Sequence, residues 1–113
     1  MSTIDDINTQ KDKALAILDQ KILDAGKLQN AGNAGMDTVI DTLEDQRQDV
    51  LDQALDAALS AQEIAAALAA ITQAASTMAD VAKHMVTATD YISQVANLGS
   101  AVNSVVAALK KPA

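Results

Sequence analysis

An all-α protein is the fold that this sequence predicts, and three observations point to it. Large β-forming side chains are scarce: the 113 residues hold no Phe, no Trp and one Tyr, while 24 of the 56 apolar residues are Ala. Turn residues are scarce too, with four Gly and one Pro, whereas a sandwich or barrel needs frequent turns and β-branched or aromatic strands. The apolar residues also recur at steps of three, four and seven, the spacing of a helix face. A net charge of −7 on a chain that is half apolar does not fit disorder. The length suits a single domain. The expected architecture is an elongated hairpin or bundle of three long helices, about 3–30, 36–59 and 61–97, plus a short C-terminal helix, about 101–110.

The first helix opens at Ser2 or Thr3 as N-cap, with Asp5 and Asp6 set against the free N–H groups of the first turn. Ile4, Ile7, Ala14, Leu15, Leu18, Ile22 and Ala25 carry its apolar stripe, and Gly26 weakens its distal end. Two Gly and two Asn within residues 30–35 supply left-handed backbone positions, hence a helix stop and a turn. From Met36 to Leu98 there is neither Gly nor Pro. Met36, Ile40, Leu43, Val50, Ala54 and Ala57 mark one stripe. Ile64, Leu68, Ile71, Ala75, Met78, Ala82, Met85, Thr89, Ile92 and Ala96 then alternate by four and three, as in a coiled-coil seam. Ser60-Ala61-Gln62-Glu63 reads as a capping box, with Leu59 and Ile64 as its hydrophobic staple. It favours a break there over one kinked helix. Asn97-Leu98-Gly99-Ser100 reads as the next stop, before a helix apolar at Val102, Val105, Val106 and Leu109 that Lys110, Lys111 and Pro112 close.

Charge is divided unequally. Residues 1–63 hold 13 acids and 5 bases, whereas residues 64–113 hold two acids and three bases. An acidic chain lacks the Lys/Arg footprint that phosphates demand, so nucleic acid is not an expected partner. No Cys means no disulfide framework, no thiolate metal site and no thiol catalysis. Two acids follow Met1-Ser2-Thr3-Ile4 where a signal peptide would be basic. The expected location is the cytoplasm, or outside the cell by a route without a cleaved leader. Residues 91–109 lack charge over nearly a membrane-spanning length, but seven polar or Gly residues interrupt them. As a solitary span they fail; as part of an inserting oligomer they keep a bilayer among the candidate partners.

Chemistry has little to work with. Phosphate-binding glycine loops, calcium loops and zinc-protease motifs are absent. Asp80, His84, Thr87 and Tyr91, spaced by four, three and four, fall on one helix face, and Asp80 could orient the imidazole. A rim pair beside Lys83 is the favoured explanation, and one helix supplies too few metal ligands. Neither a catalytic site, nor a cofactor, nor a metal is expected. A stripe of Asp41, Asp45, Asp49, Asp52 and Asp56 could receive a basic partner, but a solvated face offset by Lys11, Lys13, Lys21 and Lys27 is favoured. The alanines from Ala65 to Ala75 serve either tight packing within the chain or an assembly face.

These features point to a non-enzymatic helical protein that forms a homo-oligomer or packs against a helical partner through its charge-poor half. The expected interaction surface is Ile64, Leu68, Ile71, Met78, Val81, Met85, Ile92, Val95, Val102 and Val105, because apolar residues spread over several helix faces exceed what three companion helices cover. The Ala/Ser/Thr/Gln/Asn-rich composition without Cys or Trp broadly resembles that of secreted filament and secretion-apparatus subunits. Two alternatives stand beside this reading. One is a membrane-active toxin component that inserts the charge-poor half. The other is a small acidic adaptor, chaperone or inhibitor of a basic partner.

Overall fold

The structure, a computed structural model, describes residues 4–54 and 59–110. Four helices follow one another: α1 (Ile4–Asn30), α2 (Met36–Leu51), α3 (Ala61–Lys83) and α4 (Ala88–Lys110). They pair as two antiparallel hairpins, α1 with α2 and α3 with α4. The hairpins pack so that α1 lies beside α3 and α2 beside α4, while α1 meets α4 across the centre. The body measures 50 × 22 × 19 Å. Its all-α class and its four helices agree with the periodicity, but the short member is the second helix and not the last.

The core follows the heptad spacing of each helix. Ile7, Ala14, Leu18 and Ala25 of α1 and Met36, Val39, Leu43 and Val50 of α2 are buried. So are Ala67, Ile71, Ala74 and Met78 of α3, and Tyr91, Leu98, Val102, Val105 and Leu109 of α4. Removing these stripes from water is the main source of stability, at roughly 25 cal/mol per Å² of apolar surface. With so many alanines, axes must approach closely to fill the interior.

The first turn forms as its residues predict. Gly32 has φ 95° and closes α1 in a Schellman arrangement: its N–H donates to Gln29 O at 3.0 Å and that of Asn33 to Leu28 O at 3.2 Å. Gly35, at φ 85°, precedes α2. Gly26 does not end α1, which runs through it. The Ser60 break is also present. Glu63 N–H donates to Ser60 Oγ at 3.2 Å and Ser60 N–H to Glu63 Oε1 at 3.1 Å, satisfying two free donors of α3 reciprocally. At its other end α2 stops at Leu51, short of the expected residue 59. The N-caps at Ser2 and Thr3, the stripe position Ala57 and the closing residues Lys111 and Pro112 lie outside the described residues.

The second half corrects the expected boundaries. Helices 61–97 and 101–110 are replaced by two equal ones that meet at residues 84–87. A second capping box causes this. Asp90 N–H donates to Thr87 Oγ1 at 3.1 Å and Thr87 N–H to Asp90 Oδ2 at 3.0 Å, which starts a new helix at Ala88. The seam therefore changes phase. Tyr91 and Leu98 turn inward, while Thr89, Ile92 and Ala96, expected on the seam, face outward. Gly99 and Ser100 do not stop the chain; both lie inside α4. A Cβ on Gly99 would stand 2.9 Å from Gln46 Nε2, so this glycine makes room for a side chain of α2.

Candidate interaction surface

The two hairpins present unlike exteriors. On α1 and α2 the exposed positions include Asp5, Asp12, Lys13, Asp19, Asp37, Asp41, Glu44, Asp45, Asp49 and Asp52. On the middle of α3 and α4 they include Ala65, Ala66, Ala69, Ala70, Thr72, Gln73, Ser76 and Thr77, with Ser93, Ala96, Asn97, Ser100, Asn103 and Ser104, while the exposed charges Glu63, Asp80, Lys83 and Lys110 stand at the helix ends. From residue 64 to 79 and again from 91 to 109 no charged residue occurs. Between these helices runs an open groove of about 620 Å³, lined by Ala69, Ala70, Gln73, Ala74, Thr77, Asn97, Ser100, Ala101 and Ser104. Small side chains make it shallow enough for a further helix to approach closely, and hydroxyls and amides give that helix hydrogen-bonding groups.

The expected interaction residues are redistributed. Ile71, Met78, Met85, Val102 and Val105 are buried in the chain's own core, which removes them from any surface of the folded monomer. Ile64, Leu68, Val81 and Val95 are half-buried and pack against that core. Ile92 alone of the ten is largely exposed, at 52%. The physical reason is the turn at 84–87. It folds α4 back on α3, so each helix covers apolar surface that one long helix would have left bare. The alanines split between both roles: Ala67, Ala74 and Ala75 are buried, whereas Ala65, Ala66, Ala69 and Ala70 face outward.

The same turn breaks up the one-face constellation. Asp80 lies on α3, His84 caps its end, Thr87 caps α4 and Tyr91 is buried within α4. Asp80 instead stands 4.0 Å from Lys83, with both side chains exposed. Two backbone and side-chain donors of Thr87 hold the Asp90 carboxyl below its ordinary 3.8, so it serves as a cap. Among the described residues no group of three or more His, Asp or Glu is placed to hold a metal ion.

Asp41, Asp45, Asp49 and Asp52 do share the outer side of α2, and Asp56 lies outside the described residues. Two of the lysines of α1 bind elsewhere. Lys11 donates to Gln53 O, and Lys21 donates to Met85 O at 3.2 Å while standing over the Tyr91 ring. Arg47 of α2 pairs with Asp19 of α1. Sequence reasoning missed Gln46, which is buried between α2 and α4. Its Nε2 donates to Val95 O at 3.4 Å, and its Oε1 has no partner among the described residues. Only the position of Gln46 on the Leu43–Val50 stripe signalled its burial.

Comparisons of the chain with models of protein families, with curated protein sequences and with solved structures find no match.

Proposed function

We propose that the protein is a non-enzymatic assembly subunit whose copies pack against one another, or against a helical partner, through the outer side of α3 and α4. One observation carries this reading: that side is solvent-facing yet free of charge through residues 64–79 and 91–109, while α1 and α2 of the same molecule carry charge at nearly every exposed turn. A surface that meets only water has no physical reason to exclude Lys, Glu and Asp. A surface that receives another helix does, because an unpaired charge buried on docking is costly. Ala69, Ala70, Ser100 and Ser104 also permit the short interaxial distances at which ridges of one helix enter the grooves of another. With 13 acids in residues 1–63, two copies that meet through α1 and α2 would bring like charges together. The neutral side avoids that repulsion.

Lysine at Ala70 and Ser104 tests the reading, since both positions are exposed and neither packs in the core. The double variant is expected to keep the parent's helicity and melting temperature but to lose its associated mass, measured by light scattering after size exclusion. A variant that retains the parent's mass would show that assembly uses another surface.

A further inference from the structure

The α3/α4 hairpin segregates its side chains by polarity. Ile71, Met78, Leu98, Val102 and Val105 form an inner side buried against the rest of the chain. Gln73, Thr77, Asn97, Ser100 and Ser104 converge along the outer groove between the two helices. Charge is confined to the ends: Asp80, Lys83 and Asp90 near the turn, Glu63 and Lys110 at the opposite end. The uncharged stretches of residues 64–79 and 91–109 rise about 24 and 28 Å at 1.5 Å per residue. The hydrocarbon core of a bilayer is about 30 Å thick.

Both helices are long and apolar enough to cross a membrane. The core helix of a water-soluble bundle meets the same criterion when most of it is buried. Here 28% and 33% of the most apolar stretches of α3 and α4 are buried, so much of each stretch lies outside the core. The seam to α1 and α2 is closely packed and apolar, and the polar ties across it are few among the described residues. Lys21 donates to a carbonyl in the turn, and Gln46 makes a 3.4 Å bond to Val95 O while its own Oε1 is buried without a partner among the described residues. Lipid tails are as apolar as leucine. Moving the inner side from α1 and α2 into acyl chains therefore keeps it out of water, and the amides and hydroxyls of the groove hydrogen-bond between neighbouring helices.

We propose that the α3/α4 hairpin separates from α1 and α2 and inserts as a unit into a phospholipid bilayer, with its apolar side toward the acyl chains. This goes beyond assembly in solution and does not depend on it. The net charge of −7 opposes an anionic surface, so the matching membrane is zwitterionic.

The chain has no Cys, so single cysteines can each carry an environment-sensitive fluorophore. Thr72→Cys and Ala96→Cys place it at exposed positions of α3 and α4, and Asp45→Cys places it on α2. With phosphatidylcholine vesicles, labels at 72 and 96 are expected to shift to the blue and to be quenched by nitroxide at the bilayer centre, while the label at 45 stays aqueous. Thr72→Lys, exposed in the folded chain, is expected to weaken vesicle partitioning about a hundredfold and to leave solution helicity unchanged. Three results would overturn the proposal: aqueous emission at 72 and 96 with vesicles present, equal quenching at 45, or parental partitioning by Thr72→Lys. A blue shift that follows protein concentration without lipid, and shows no nitroxide quenching, reports docking between copies and also overturns insertion.

Discussion

The hairpins α1/α2 and α3/α4 solve the inner half of the folding problem in the same way and the outer half differently. Each buries a stripe at heptad-like spacing, Ile7–Ala14–Leu18–Ala25 in one and Leu98–Val102–Val105–Leu109 in the other. Outside, α1/α2 is an ordinary solvated surface in which acids tolerate like-charged neighbours at a cost of a few tenths of a kcal/mol per pair. Between its charged ends, the outside of α3/α4 is mostly Ala, Ser, Thr, Gln and Asn. High alanine content supplies helix propensity there without the entropy cost of long side chains. The contrast teaches that periodicity reports what a helix faces inside its own chain. The composition of the remaining positions reports what it is built to meet outside.

The comparison can be broken first at the core. Leu98→Ala, at a fully buried site, is expected to cost about 2–5 kcal/mol in denaturant unfolding. Ile92→Ala, at a half-exposed site whose side chain reaches the Gly35 turn, is expected to cost well under half as much. Equal losses would mean that α4 has no distinct outer side. The caps come next. Ser60→Ala and Thr87→Ala should each lower stability by about 0.5–2 kcal/mol, and amide exchange should rise selectively at the first turn of α3 or of α4. No loss at Thr87 would mean that the chain runs helically through residues 84–87.

The two helix-interior glycines sharpen the comparison further, because they should respond with opposite sign. Nothing lies within 4 Å of a Cβ on Gly26, so Gly26→Ala is expected to stabilise by about 0.5–1 kcal/mol. Gly99→Ala meets the same gain in propensity but displaces the buried Gln46 amide, and thermal melting should show a net loss. Shortening that side chain, as Gln46→Ala, should remove the penalty of Gly99→Ala in a double variant. The smallest effect concerns acidity. Asp90 titrates below 3.8 in the fold, so its capping contribution is complete above about that pH and fades as pH falls through the lower folded-state value. The melting temperatures of the parent and Asp90→Ala should converge over that range. A difference that persists in strong acid would mean that the cap does not require the carboxylate.

Much of this fold was legible from local chemistry. The Asn/Gly turn at 31–35 and the Ser60–Glu63 box each depend on residues within one helical turn. The Thr87–Asp90 box was equally local, but the four-three alternation continues through it and disguises the change of phase. Gly99 was not legible in the same way. As an isolated letter it is a helix stop, and its actual role depends on Gln46, which lies 53 positions earlier and reaches it only in the folded chain. The candidate surface shares this difficulty. The charge-poor half stood out in the sequence, but which of its residues face outward depended on where α4 turns back. That turn buries large apolar side chains such as Ile71 and Val105 and leaves small ones such as Ala70 and Ser104 on the candidate surface.

The central claim is that the uncharged exterior of α3/α4 is made to be covered. Its most direct test is the mass of the unmodified protein in plain buffer, without lipid, by light scattering across dilutions down from tens of micromolar. The account predicts a mass that rises with concentration to a multiple of the 11.7 kDa chain and does not fall at high salt. A mass that stays at one chain throughout, with the exterior of α3/α4 bare, would contradict it.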